Sequence, residues 1–265
     1  MVDIRSKIRD IYSLEQLSSN HTFIHALCPG AKLLTTVCYI VAVTSFNRFA
    51  LLRLIPYVFY PLIVMALSET PYRIIAKRVL LALPFVLFAG VSNIFFENGS
   101  MIKIGGILVT AGVISFFTVI FRTVLTVTSV LVLVAVTPFH SLMNTLRRLH
   151  LPQVLIMLIE LSYRYISVLL EEASDMYTAY ILRHTHTKGL EMKHMGSFIG
   201  HLFMKSIDRA ERIYAAMRCR GYGRRDLHTC EQKWQSGDYL FVAITVGSFI
   251  LCRFVNVMRL WEYLL

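Results

Sequence analysis

Residues 106–136 read GILVTAGVISFFTVIFRTVLTVTSVLVLVAV, with Arg122 as the one charge among them. The run is longer than the ~20 apolar residues that one bilayer crossing needs. An arginine inside such a segment is a functional residue by default. Here the surplus length lets Arg122 lie near one headgroup layer or face a neighbouring helix, and that is the reading preferred.

The rest of the chain repeats the theme. Of 265 residues, 56% are hydrophobic, and the mean hydropathy is +0.59, more apolar surface than a soluble domain of this length uses. A first span is expected at 31–46, short, with Lys32 placed to snorkel at its start. Asn47-Arg48 reads as a tight turn into a second span at 49–67. Pro56 and Pro61 should kink it, leaving freed carbonyls for packed neighbours to satisfy. A third span at 79–96 has Pro84 near its start, and Glu97-Asn98-Gly99-Ser100 reads as a turn. The last span, 239–258, leads to Arg259, Trp261 and Tyr263, an interfacial anchor composition. The fold class expected is all-α: a polytopic helical membrane protein with about five transmembrane helices. The first 20 residues carry Asp3, Arg5, Lys7, Arg9, Asp10 and Glu15 without an apolar core, so no signal-peptide pattern is visible.

Charge sets the expected orientation. The formal net charge is +11. Basic residues concentrate in 1–32, 68–78 and above all 137–225, while the opposite loops hold Arg48 and Lys103. By the positive-inside rule the N-terminus and the long charged region face the cytoplasm of a multi-pass cell-membrane protein. Four parts follow: a cytoplasmic segment over 1–30, four spans over 31–136, a cytoplasmic or interfacial region of long amphipathic helices over 137–225, and the final span with its tail over 226–265. The five cysteines, at 28, 38, 219, 230 and 252, form no C-x-x-C pair and suggest neither a disulfide frame nor a zinc site.

The charged region reads as three helices. Thr137-Pro138 offers a capping hydroxyl and then proline in the first turn, opening a helix with Arg147 and Arg148 on its polar side. Leu151-Pro152 ends it and opens a second, 153–183. Its first half, 154–170, is apolar enough to enter the membrane and is read as lying in the interface. Glu160 and Arg164 share a face there. His184 to Gly189 reads as a loop. A third helix, about 197–220, carries the apolar line Ile199, Phe203, Ile207, Ala210, Tyr214 and Met217 at steps of three or four. On another face Asp208 and Arg212 are an i,i+4 pair worth about 0.3–0.5 kcal/mol when exposed. Gly221 falls where a left-handed C-terminal cap is wanted. Arg218 and Arg220 in the last turn also suit the helix dipole. Arg183 closes the preceding long helix in the same way.

These residues resemble the transmembrane T component of energy-coupling factor (ECF) transporters, the EcfT/CbiQ family. That family carries two short Ala-Arg-Gly signatures at the ends of two long cytoplasmic coupling helices. The second is matched by Cys219-Arg220-Gly221, with cysteine for alanine, after Asp208-Arg209-Ala210-Glu211-Arg212. The first is matched by Leu182-Arg183-His184, where only the arginine is kept. His25-x-x-x-Pro29-Gly30-Ala31-Lys32-Leu33-Leu34 is similar to the family's entry into the first span. Thr137-Pro138 with Leu146-Arg147-Arg148-Leu149-x-Leu151-Pro152 resembles its first coupling helix. The histidine-proline entry and the Leu-Arg-Arg-Leu helix look more like the cobalt and nickel branch, CbiQ, than the shared vitamin scaffold.

The resemblance implies a non-catalytic subunit of an ATP-driven importer. Two partner ABC ATPases would bind ATP and Mg, each receiving one signature helix in a groove where acidic residues pair with the arginine. A separate membrane-embedded substrate-binding S component would be moved in turn. The expected coupling residues are Leu182, Arg183, Arg218, Cys219, Arg220 and Gly221, with no catalytic residue, no metal ligand and no cofactor in this chain. No G-x-x-x-x-G-K-[ST] occurs, so the usual phosphate loop must come from a partner. Two other readings compete. One is a polytopic membrane enzyme using Glu171, Glu172 and the nearby histidines as acid–base groups, but the charges are dispersed along regular helix. The other is a binder of anionic lipid or nucleic acid. Against it, basic residues in 137–225 alternate with acids. His184, His186, His194 and His201 lack cysteine or carboxylate at ligand spacing and are not read as a metal site.

Overall fold

A computed structural model describes residues 22–47, 51–96, 101–104, 107–148, 151–183, 189–222 and 234–254. Arg48, the turn at 97–100, most of the 184–189 loop and the anchors Arg259, Trp261 and Tyr263 lie outside these. The element order is α1 (Phe23–Ala26), α2 (Pro29–Thr44), a 3-10 helix (Leu51–Val58), α3 (Phe59–Leu67), α4 (Tyr72–Phe96), β1 (Met101–Ile104), β2 (Ile107–Thr110), α5 (Ala111–Val136), α6 (Phe139–Arg148), α7 (Gln153–Arg183), α8 (Met192–Cys219) and α9 (Ser236–Phe254). Two compact units emerge, one of 14–142 with 232–265 and one of 1–13 with 143–231.

In the first unit, α2 packs against α5 and α9, and α4 packs along α5. α4 and α5 approach closely at Gly90, where an added Cβ would lie 2.8 Å from the Phe116 ring; small residues allow such approaches between helices in lipid. Outward-facing Leu81, Phe85 and Phe88 are almost bare, as expected where the solvent is hydrocarbon. Inside, Ser115, Thr118 and Ser129 are buried. The Thr118 and Ser129 hydroxyls turn back onto carbonyls of their own helix, so neither leaves an unsatisfied polar atom in the core.

The proline-bearing second span is not one continuous α-helix. Its first half, with Pro56, is a 3-10 helix, and α3, with Pro61, follows. Pro61 has no N–H for the carbonyl of Tyr57, four residues back. Tyr39 on α2 supplies the missing donor: its hydroxyl donates to the Tyr57 carbonyl at 2.9 Å. The Tyr57 hydroxyl in turn donates to the Phe249 carbonyl on α9 at 2.9 Å. Tyr39, Tyr57 and Phe249 form a buried cluster with Val43, Leu54 and Leu125, so one aromatic core ties three spans together.

Four local expectations are corrected. The third span starts at Tyr72, not 79, which puts Pro84 in mid-helix. Residues 72–78 are amphipathic, with Ile75 buried and Arg73 and Lys77 exposed, so apolarity alone misses them. The long apolar run is helical only from Ala111. Residues 107–110 pair antiparallel with 101–104, Met101 opposite Thr110 and Ile104 opposite Ile107. The β-branched residues there favour a strand, and Gly105-Gly106 between them is a hairpin sequence. Lys32 does not snorkel. It is buried, and its ammonium donates to the carbonyls of His25 at 3.2 Å and Val136 at 3.5 Å. Val136 is the last residue of α5, where the dipole favours a cation. Thr137 is no cap: its N–H continues α5 onto Leu133, and its buried hydroxyl finds no acceptor among the described residues.

Arg122 faces a neighbour, as preferred. Its guanidinium donates to the Phe46 carbonyl at 2.5 Å and reaches the Asn47 carbonyl at 3.4 Å. It thereby satisfies carbonyls just past the end of α2. With 16 residues, α2 is only about 24 Å long.

Candidate functional site

The second unit carries the residues read as coupling tips. α7 spans Gln153–Arg183, the bounds read from the sequence, and α8 begins at Met192, five residues before its expected start. α7 is long and apolar enough to cross a membrane by composition, as are Gly112–Val136 and Ser236–Arg253; Pro29–Thr44 and Arg53–Leu67 are apolar but shorter.

Arg183 is the last residue of α7 and is exposed, beside a largely bare Leu182. His184, the third residue of that signature, lies outside the described residues. At the other end of α8, Arg218, Cys219, Arg220 and Gly221 are all exposed. Gly221 has φ +84°, the left-handed conformation that glycine adopts without a Cβ penalty. Its N–H donates to the Arg218 carbonyl, and the Tyr222 N–H donates to the Met217 carbonyl, both at 3.0 Å. This paired closure is the Schellman motif. It stops the helix within one residue and leaves Arg220 standing at the tip.

The two arginines are not brought together. The end of α7 lies beside the start of α8, where the Tyr180 and His194 rings are 5.8 Å apart. Arg220 stands at the far end of that 28-residue helix, about 42 Å along it. Two separate tips result, each on its own rod, rather than one bipartite site.

Electrostatics between the rods centre on Glu172. Its carboxylate accepts a hydrogen bond from the Lys205 ammonium and lies 3.7 Å from Arg209. That hydrogen bond, with the two positive charges, holds the Glu172 carboxyl below the usual carboxylate range. One pair expected from spacing is likewise replaced by a partner on another helix. Glu160, paired by spacing with Arg164, lies 3.8 Å from Arg147 of α6, and Arg164 sits 5.9 Å from the Tyr165 ring. Among the described residues, no three His, Cys, Asp or Glu side chains gather as a metal group would need.

Sequence reasoning missed Asp238. It is buried in the first turn of α9. One carboxylate oxygen accepts from the Gln235 N–H and the other from the Cys28 N–H, both at 2.8 Å. One side chain therefore caps the starts of α9 and α2. An acid at the head of an apolar run is a helix-start signal, which would have placed the last span at 236 instead of 239. That it also caps the first span is a long-range fact.

The sequence profile of the family described as "Cobalt transport protein", CbiQ, matches residues 20–229. The chain belongs to the CbiQ family. Among related CbiQ-type proteins, it is 26% identical to the energy-coupling factor transporter transmembrane protein EcfT of Streptococcus equi, over 88% of this chain and 93% of that protein. It is 29% identical to the nickel permease LarQ of Lactiplantibacillus plantarum, over 44% of this chain, a match that spans 43% of LarQ. It is 33% identical to the cobalt transport protein CbiQ of Rhodobacter capsulatus, over 34% of this chain and 37% of that protein. Family and helices together make this a multi-pass membrane protein of a transport family.

Proposed function

We propose that this chain is the transmembrane scaffold of an ECF-type importer, passing the work of two partner ABC ATPases to a separate membrane-embedded substrate-binding subunit. The observation that carries the reading is the pair of exposed arginine tips, Arg183 and Arg220, each ending a long helix in a CbiQ-family chain. A rigid helix laid in a groove transmits displacement along its length. A guanidinium at its end can bind a carboxylate at two points, which a lysine cannot. ATP and Mg belong to the ATPases, and the chain itself catalyses nothing. Cobalt or nickel is the proposed cargo, supported by the named cargoes of the CbiQ and LarQ relatives. A vitamin-type scaffold is the second reading, supported by near-full-length similarity to EcfT.

The test is co-purification. Arg220→Glu places a carboxylate where the groove is expected to hold acids, and truncating one partner of a desolvated pair already costs about 2–5 kcal/mol. The ATPase pair should be lost while the membrane unit stays folded. Arg183→Glu should weaken the complex less, since its signature keeps only the arginine. A full-strength complex with full uptake in Arg220→Glu would remove the coupling role. Uptake of labelled cobalt or nickel against labelled vitamins, in vesicles holding the whole complex, decides the cargo.

A further inference from the structure

Glu172 lies between the two rods at a position the proposed coupling does not use. Residues 172 and 183 are eleven apart on α7, and residues 209 and 220 are eleven apart on α8. Eleven residues make about 16 Å of helix and three turns plus about 20° of rotation. Each arginine tip therefore stands about 16 Å from the Glu172–Arg209 contact, on nearly the same face of its own rod. Lys205, one turn before Arg209, hydrogen-bonds the same carboxylate.

The three side chains are partly exposed, with relative accessibilities of 25% for Glu172, 55% for Lys205 and 33% for Arg209. Ion pairs so exposed add little to stability. Stability is thus a poor reason for three charges to converge between two helices that otherwise touch little. Geometry is a better one: a contact midway between two tips fixes the angle of the rods, and the angle fixes the separation of the tips.

Resting on the scaffold reading above, we propose that Glu172, with Lys205 and Arg209, is a pivot. It positions Arg183 and Arg220 at a set separation, so that the two ATPases act on the membrane unit as a pair. The residue is a positioning residue, acting through the helices and not by touching ATPase or cargo. Its charge holds the pivot, and its removal lets each rod respond alone.

The assembled importer, with both ATPases and the substrate-binding subunit in vesicles, tests this. In Glu172→Gln the complex should co-purify intact and hydrolyse ATP, while cargo taken up per ATP falls at least about fivefold, the lower range of site-to-site coupling. The exchange Glu172→Lys with Lys205→Glu should restore the ratio. Spin labels at Ala179→Cys and Ala215→Cys, with the native cysteines replaced, should give a narrow distance distribution in the parent and the exchanged pair and a broad one in Glu172→Gln. An unchanged uptake-to-ATP ratio in Glu172→Gln overturns the pivot. So does a loss that the exchange fails to restore, or a complex that falls apart. Failure of the scaffold reading shows separately, as an Arg220→Glu complex that stays whole.

Discussion

Tyr39 shows how a single side chain can decide whether a span survives its own prolines. The carbonyl of Tyr57 loses its helical partner because Pro61 has no N–H, and the Tyr39 hydroxyl takes the place at 2.9 Å. Tyr39→Phe keeps the ring packing and removes the donor. A buried acceptor left unpaired costs about 1–3 kcal/mol, so the midpoint of unfolding in detergent should drop, while Tyr60→Phe, whose bonds are long at 3.4 Å, should change little. Gly221 makes the complementary case in water. Gly221→Ala meets no neighbour but must hold φ +84°, at about 1 kcal/mol. The last turn of α8 should fray, seen as faster amide exchange at Arg218 to Arg220. The need for a left-handed residue after a helix end was legible in the sequence. The identity of the donor that rescues Tyr57 was not, because Tyr39 and Tyr57 meet only after two helices have packed.

Elements were read well where their ends carry chemistry and poorly where only apolarity spoke. α7 matches its expected bounds because Leu151-Pro152 marks its start, and at Arg183 the helical pattern gives way to histidines and threonines. The first two turns of α4 and the β1–β2 hairpin were missed because a short amphipathic stretch and two short β-branched runs vanish beside long apolar stretches. Pairing across α7 and α8 was equally hidden: spacing finds partners on the same helix, and Glu172 found its own on another. That contact predicts a pH dependence. The folded carboxyl titrates below the free one, so its contribution is present above the free value and is lost as pH falls through the depressed one. Label distances between Ala179→Cys and Ala215→Cys, with the native cysteines replaced, should hold steady through neutral pH and broaden only below the usual carboxylate range.

For the whole molecule, the reading of orientation rests on charge. Basic residues gather in the segments assigned to the cytoplasm, and the second unit holds the exposed Cys219. In the absence of the ATPases, a membrane-impermeant maleimide should label Cys219 in inside-out vesicles and leave it unlabelled in right-side-out ones. The reverse pattern would invert the topology and remove the tips from any cytoplasmic motor. The membrane class and the two arginine tips could both be argued from residues in order along the chain. The closure of the first unit could not, since its deciding contacts join residues far apart in sequence.

The double cap at Asp238 has a consequence in time. A ribosome delivers the first span long before the last, and the N–H of Cys28 waits for a carboxylate made 210 residues later. Until α9 arrives, the aromatic core also lacks Phe249. The nascent protein thus enters the membrane with its entrance helix uncapped and its centre unfilled. The first unit therefore closes only once α9 has been made, and a chain cut short before α9 would carry an unpaired N–H at Cys28.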